Sequence, residues 1–305
     1  MILAYGEPRE HVYERPSLEE LKASAEESDD SAFEPLESLP SSILSRYYNH
    51  SVYTAQEERK VFSQLQSTMR SYQTACTRIG IAALTLANIA EQLLNKDSPV
   101  FQLSKYFNKE REIIDHPRAP RTIATRVAEN RNLVSQRPTA AIIRKVERNT
   151  ILYSELEVPW QPRLETLDTL LERDTLAPSL QSHALSIQQA KSISQKSEIS
   201  RLVGVYPELF IELYKEANEK REEYYRQKED IIMHNVRFGV KMAYLEIHRI
   251  GMSYGDVHDL IDVSLLAIDR AIPYFEIERG FKFLTYARWW VKQMICRELT
   301  ETRTG

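Results

Sequence analysis

The stretch Arg279-Gly280-Phe281-Lys282-Phe283-Leu284-Thr285-Tyr286-Ala287-Arg288-Trp289-Trp290-Val291-Lys292-Gln293 concentrates aromatic rings and positive charge in one short segment. It holds five aromatic residues, and the segment from Arg279 to Arg297 carries five basic residues and no acidic one, although the whole chain has a net charge of −4. Proteins that bind single-stranded nucleic acid combine rings, which stack on unpaired bases, with cations that hold phosphate. An amphipathic helix with an aromatic core face and a solvated basic face fits the same composition.

The segment after Arg279-Gly280, a predicted turn, is expected to form a helix, because neither Gly nor Pro interrupts residues 285–299. Side chains three or four positions apart lie on the same helix face. One predicted row carries rings and an amide: Tyr286, Trp289 or Trp290, and Gln293. The neighbouring row carries Arg288, Lys292 and Cys296. An amide such as that of Gln293 makes bidentate contacts with an adenine edge.

Composition predicts an all-α protein. The chain has 305 residues, eight of them Gly, and 28% of them are charged, which favours helix over sheet. No apolar run approaches the roughly 20 residues of a membrane span, and the N-terminus lacks a secretory pattern. The two cysteines, Cys76 and Cys296, form no metal or redox spacing, so the sequence predicts a protein of the reducing cytoplasm.

Residues 1–40 form an acidic arm that is predicted to be disordered. They carry eleven acidic and three basic residues, a net charge of −8, which leaves +4 for the rest of the chain. Such an arm is usually a solvated, disordered segment. The sharper hypothesis is that it mimics nucleic acid and covers the basic surface.

The remaining chain is divided into three predicted parts: a first helical region at 41–94, a variable helical insert with a linker at 95–205, and a helical domain at 206–305. The insert holds seven of the thirteen prolines. Helices are predicted at 139–156 and 163–173, and a polar linker at Ser192 to Ser200. A basic run over 118–148 is either a solvated face or a DNA contact.

Three packed helices are predicted in the last part: 231–249, 257–272 and 284–299. Pro207 is expected to open a helix, because proline is tolerated in a first turn. The second helix must end before Pro273, which disfavours helix in the residue before it.

The order of residues from Phe281 to Gln293 resembles the promoter-melting and promoter-reading segment of housekeeping bacterial RNA polymerase sigma factors. The resemblance covers 229–299, where Asn235-Val236-Arg237-Phe238 is similar to an Asn-Leu-Arg-Leu helix start and Asp259-Leu260-Ile261 to the Asp-Leu-Ile motif. A weaker resemblance covers 40–70, in which Tyr53-Thr54-Ala55-Gln56-Glu57 is similar to a Leu-Thr-x-x-Glu turn.

The resemblance implies a helical, non-enzymatic initiation factor that recognises and melts the minus-ten element. Tyr286 would stack on the flipped adenine of the hexamer's second position, and Trp289 and Trp290 would replace that base at the fork. Gln293 would read the first base pair; Cys296 stands where the family has Thr, so a relaxed preference is expected there. The DNA-binding positions implied in total are Asn235, Phe275, Glu276, Arg279, Phe281, Lys282, Phe283, Thr285, Tyr286, Arg288, Trp289, Trp290, Lys292, Gln293, Cys296 and Arg297.

The resemblance also implies binding to the clamp coiled coil of the largest subunit of core RNA polymerase, through Asp259, Leu260, Ile261 and Asp262. The family continues the motif with Gln-Glu-Gly, whereas this chain has Asp262-Val263-Ser264. The resemblance does not reach the family's helix-turn-helix that reads the minus-thirty-five element. The chain is therefore expected to be a fragment, or to depend on an extended minus-ten signal or a partner.

Two functions are consistent with these residues. The first is a sigma-type factor whose partners are core polymerase and the single-stranded non-template minus-ten strand. The second is a sigma-derived interaction protein that binds core polymerase and modulates the resident factor. An enzyme is not expected, because the chain has no phosphate-binding loop and its seven histidines form no metal-ligand spacing. No cofactor, metal, membrane or small-molecule substrate is predicted.

Overall fold

The computed structural model describes residues 17, 19–20, 52–96, 99–108, 110–155, 161–173, 178–250 and 257–304. The predicted acidic arm lies outside these residues except for Ser17, Glu19 and Glu20, and so does the loop predicted around Gly251 and Gly255. The described residues form α-helices and short 3-10 turns, with one isolated bridge between Phe107 and Pro162 and no strand. The predicted all-α class is confirmed.

Helices follow one another along the described chain. In the first half they are α1 (Ala55–Thr77), α2 (Gly80–Leu94), α3 (Pro99–Leu103), α4 (Glu110–Asp115), α5 (Ala119–Val134) and α6 (Ala140–Glu155). In the second half they are α7 (Leu164–Glu172), α8 (Leu180–Gln189), α9 (Ile193–Val203), α10 (Pro207–Ile250), α11 (Val257–Ala271) and α12 (Phe283–Thr304). Two 3-10 turns, Ile272–Tyr274 and Ile277–Arg279, separate α11 from α12.

The chain divides into two compact units: unit 1 contains residues 1–67 and 224–305, and unit 2 contains residues 68–223. The division points fall inside α1 and α10. The unit boundaries do not coincide with the predicted boundaries at 94 and 205, and the four-part division of the chain stays a prediction.

Unit 2 is a bundle in which α2, α5 and α6 carry much of the core. Ala83 and Ala87 of α2 pack against Ile123 and Val127 of α5, so that small residues let the two helices approach closely. The segment predicted as a linker at Ser192 to Ser200 is instead helical. Ser192 accepts a hydrogen bond from Gln195 N, and the Gln195 side chain accepts from Ser192 N. This capping box stabilises a polar helix that composition alone does not predict.

A polar network also holds unit 2 together. The Tyr72 hydroxyl of α1 donates to Asp168 of α7 over 2.7 Å, and Arg221 of α10 donates to the same carboxylate over 2.9 Å. Arg221 also donates to Glu172. Burial and the charge of Asp168 raise the pKa of the Cys76 thiol, which therefore stays protonated.

In unit 1, α11 packs against both α10 and α12, as two of the predicted contacts require. The first of the three begins far earlier than expected, because Pro207 opens one continuous helix of 44 residues. The backbones of α10 and α11 approach closely at Gly239, where an added Cβ would lie 3.2 Å from Leu265 Cδ2 and 3.5 Å from Ser264 Cβ. Among the described residues, no helix is long and apolar enough to cross a lipid bilayer.

Candidate nucleic-acid interface

An aromatic cluster in unit 1 forms the floor of the candidate site. Phe62 of α1 lies 4.7 Å from both Phe275 and Phe283, measured between ring centroids. Phe275 in turn lies 5.3 Å from Phe283 and 5.7 Å from Tyr286. The four rings are all buried, so the cluster fixes the turn before α12 against the helix itself.

The start of α12 is built from two distant parts of the chain. Gly280 has a φ of +77°, in the left-handed region that glycine adopts without strain, and ends the second 3-10 turn. The backbone N–H of Phe283, which has no partner inside its own helix, donates to Glu58 Oε1 of α1 over 3.0 Å. Burial raises the pKa of Glu58, and the hydrogen bond from Phe283 partly offsets that increase.

A shallow depression, open to solvent, lies above the aromatic floor. Its lining residues are Tyr274, Phe275, Glu276, Arg279, Phe281 and Tyr286. At its rim Arg279 Nε donates to Glu276 Oε2 over 2.6 Å, and both side chains remain partly exposed. The depression therefore combines ring faces with a carboxylate and a guanidinium, which are hydrogen-bonding groups suited to the edge of a flat heterocycle.

The two neighbouring tryptophans have different environments. Trp290 is only 2% exposed and stacks on Tyr274, with ring centroids 5.8 Å apart and an interplanar angle of 9°. Trp289 is half-buried and meets Trp290 edge to face at 5.4 Å. In this state Trp290 belongs to the core, and Trp289 is the tryptophan that presents surface.

One acidic residue near the N-terminus contacts this surface. Hydrogen bonds from Ser17 lower the pKa of the exposed Glu20 carboxylate, and a weaker one from the Trp289 side chain lowers it further. The hypothesis that the acidic arm covers the basic surface stays a prediction, since the rest of residues 1–40 lies outside the described part of the chain.

Positive charge lies along α12 beside the rings. Arg288, Lys292 and Arg297 are half-buried and Lys282 is exposed, while Gln293 and Cys296 present exposed polar groups. Lys241 of α10 adds to this row: burial and the charge of Arg288 lower its pKa. Two cations held close together in this way favour the approach of an anion such as phosphate.

Three other predicted site residues are not at the depression. Asn235 is buried and its amide donates to the Ile231 carbonyl over 2.8 Å, within α10. Phe283 is fully buried beneath the depression, and Thr285 is half-buried in the first turn of α12. The structure thus places five predicted residues in the lining, namely Phe275, Glu276, Arg279, Phe281 and Tyr286.

The segment predicted to bind polymerase lies in the first two turns of α11. Leu260 and Ile261 are core residues, 2% and 0% exposed, whereas Asp259 and Asp262 face solvent. The hydroxyl of the buried Ser264 donates to the Leu260 carbonyl over 2.8 Å. A partner that approaches this helix from solvent would therefore meet the two carboxylates.

Three supporting residues were not identified from the sequence. Tyr274 lines the depression and stacks on Trp290, Glu58 accepts the hydrogen bond from Phe283 N, and Gln66 Nε2 donates to the Phe275 carbonyl over 3.1 Å. Glu58 and Gln66 lie more than 200 positions from their partners, so no local pattern reveals them. Tyr274 could have been identified from the sequence, because it is an aromatic residue next to Phe275.

Comparison with known proteins gives the family of this region. Residues 242–304 match the model of sigma-70 region 2. The chain is 38% identical over 76 residues to the RNA polymerase sigma factor SigA of Microcystis aeruginosa, covering 25% of this chain and 17% of that protein. SigA of a Nostoc species is 37% identical over the same length, covering 25% of this chain and 18% of that protein.

The matched segments span about a sixth of the length of these relatives. Residues 242–304, which match the family model, contain α11, both 3-10 turns and α12. The depression and α12, with its aromatic and basic residues, therefore lie inside the segment that matches the family model. The chain carries a region 2 of the bacterial sigma-70 family, at residues 242–304.

Proposed function

We propose that the chain is a sigma-type transcription initiation factor that binds core RNA polymerase and recognises and melts the promoter minus-ten element. The observation that carries the proposal is the depression bounded by Tyr286, Glu276 and Arg279, within a region 2 of the sigma-70 family. As such a factor, the protein acts by binding DNA and is not an enzyme.

The chemistry of melting explains why rings and charges are needed together. Extruding a base from the duplex costs a few kcal/mol, and a pocket that stacks on the base and binds its edge offsets that cost. Tyr286 provides the ring, and the Glu276–Arg279 pair provides hydrogen-bonding groups at the rim. An adenine that enters would stack on Tyr286 and exchange the contact between Glu276 and Arg279 for contacts to its own edge.

The roles of the flanking residues follow from their exposure. Trp289 presents an edge from which it can replace the extruded base, and Trp290 holds Trp289 in place from the core. Arg288, Lys292 and Arg297 bind the strand's phosphates, which makes binding salt-dependent. Gln293 and Cys296, which are exposed one turn apart, read the first base pair. Asp259 and Asp262 contact the clamp of the polymerase.

The experiment is binding of the purified chain, together with core polymerase, to a fork-junction DNA with an unpaired minus-ten strand. The matched control is the same DNA changed only at the second-position adenine. Binding that needs both core polymerase and this adenine is expected. Binding without any adenine preference would overturn the proposal.

The second candidate function is a sigma-derived protein that occupies core polymerase and modulates the resident factor. It is favoured by the divergence at Asp262-Val263-Ser264, since Asp262 is one of the exposed residues of α11. This function predicts stable binding to core polymerase without adenine-dependent DNA binding. Competition with a resident factor for core polymerase would then be the measurement that supports it.

A further inference from the structure

Helices α5 and α6 of unit 2 carry a basic face that lies outside the residues matched to sigma-70 region 2. Residues 118–155 contain eight Arg and Lys and three Glu, a net charge of +5, whereas the whole chain has −4. The basic face consists of Arg126 on α5, Arg137 in the connection, and Arg144, Lys145 and Arg148 on α6.

The two helices that carry most of these cations are joined by buried polar side chains. Buried Asn149 Nδ2 donates to Asn130 Oδ1 over 2.7 Å, and Asn130 Nδ2 donates to the Val146 carbonyl over 3.3 Å. A buried, mutually satisfied pair of this kind fixes the register of α5 against α6. The helix backbones that carry these cations are therefore held in one register.

Positive charge exceeds negative charge on this face. Lys145 Nζ lies 2.6 Å from Glu129 Oε1, and the pKa of Glu129 is lowered by that hydrogen bond and by the charges of Lys145, Arg126 and Arg148. One carboxylate thus stands among three cations. On α6, Glu147 is the one acidic residue whose exposure the structure describes, and it is exposed.

The guanidinium groups at the edge of the face point into solvent. Arg137, Arg144 and Arg148 are exposed and form no ion pair with any carboxylate that the structure describes. Arg144 and Arg148 are four positions apart on the solvent side of α6, where successive side chains are neighbours. They are therefore free to bind two phosphates of one strand.

The absence of rings indicates which polyanion this face fits. The span from Arg126 to Arg148, which holds the five cations of this face, contains no Phe, Tyr or Trp, and the first ring after it is that of Tyr153, so the cations are not interleaved with the stacking platforms of a single-strand site. We infer that the basic face of α5 and α6 binds the phosphate backbone of duplex DNA, independently of sequence. This inference does not depend on the proposed reading of the minus-ten element.

The test measures how the full chain, without polymerase, binds a fluorescently labelled DNA duplex that contains no promoter. The binding constant is obtained from fluorescence anisotropy at several salt concentrations between about 50 and 200 mM. The variant is R144Q/R148Q. Each phosphate contact contributes about 0.9 to the slope of log K against log salt, so the variant's slope should fall by about 1 to 2, with weaker binding at low salt.

The matched control is K191Q/K196Q, which removes two exposed positive charges elsewhere in unit 2 and should leave the slope unchanged. Thermal unfolding followed by circular dichroism confirms that both variants are folded. No binding of duplex by the parent chain, an unchanged slope in R144Q/R148Q, or an equal loss in the control would overturn the inference. R144Q/R148Q should retain adenine-dependent binding to the fork with polymerase, so the two proposals fail separately.

Discussion

At the scale of single residues, the adjacent tryptophans show how the structure distinguishes two side chains that the sequence places together. Helical spacing predicted that Trp289 or Trp290 shares a row with Tyr286, but it did not decide which. The deciding contact is Tyr274, whose ring stacks on Trp290 and completes its burial. Trp289 is left half-buried at the surface, and the two residues should therefore respond differently to mutation.

Trp290→Ala should lower the free energy of unfolding by about 3 to 5 kcal/mol, because it leaves a cavity in the core. Trp289→Ala should lower the free energy of unfolding by only about 1 kcal/mol, roughly the value of its edge-to-face contact. The same substitution should abolish promoter opening. Urea unfolding followed by circular dichroism measures the first effect, and permanganate footprinting of the melted strand measures the second. Trp290→Phe, which keeps a ring against Tyr274, is the control. Equal destabilisation by both alanine variants would contradict the assignment.

At the scale of elements, the start of α12 depends on a residue of another helix. Glu58 supplies a hydrogen-bond acceptor for the backbone N–H of Phe283 in the first turn of α12. In most helices a capping residue just before the first turn has this role. Glu57, one position earlier, instead forms a capping box at the start of α1: its carboxylate accepts from Thr54 N over 2.8 Å, and Glu57 N donates to the Thr54 hydroxyl. Consecutive glutamates thus serve the ends of two different helices.

Glu58→Ala should lower the free energy of unfolding by about 1 kcal/mol, the typical value of a lost cap. Glu58→Gln keeps an acceptor oxygen and removes the charge. Burial raises the pKa of Glu58 in the folded protein, so ionisation of this carboxyl disfavours the folded state. The difference in free energy of unfolding between wild type and Glu58→Gln should therefore shift against wild type as pH rises from about 4 to 7. Unfolding of both proteins across this range measures the difference.

Glu57→Gln is the control with the opposite sign. Hydrogen bonds from Thr54 lower the pKa of Glu57, so its contribution is present above pH 4.5 and is lost as pH falls. The stability of wild type relative to this variant should therefore increase as pH rises to about 4.5 and stay level from there to pH 7. The same direction of change for both glutamates would contradict the capping roles.

Sequence patterns predicted which helices form better than they predicted where the helices begin and end or which residues they contact. The helical class followed from composition and the turn at Gly280 from the local sequence, whereas the lining residues of the candidate site were implied by the family resemblance. Helix α9 was missed because its serines suggest a linker, whereas the capping box at Ser192 stabilises the helix. The continuity of α10 was missed because its charged central stretch lacks a clear apolar stripe. Glu58 and Phe62 lie far from α12 in sequence, and only tertiary packing brings them to the site.

At the scale of the whole molecule, the family match and the unit division describe different parts of the chain. Region 2 lies within unit 1, while unit 2, residues 68–223, is outside the matched segment. Unit 1 brings together two surfaces with different proposed partners: the aromatic depression for DNA and the exposed carboxylates of α11 for polymerase. If the two surfaces act separately, mutations should separate the two functions.

The double variant D259K/D262K should reduce core-polymerase binding at least tenfold, since reversing two charges at a complementary surface costs more than about 1.4 kcal/mol. Promoter opening should be lost with it, because the factor no longer reaches DNA in the complex. Tyr286→Ala should retain core binding and lose opening, since Tyr286 lines the depression in which the extruded base would stack and does not lie on α11. Glu229→Lys, which reverses an exposed charge on α10, should change neither. Equal loss of core binding in D259K/D262K and Tyr286→Ala would mean that the two surfaces are one, and that Tyr286 acts through packing and not through a base.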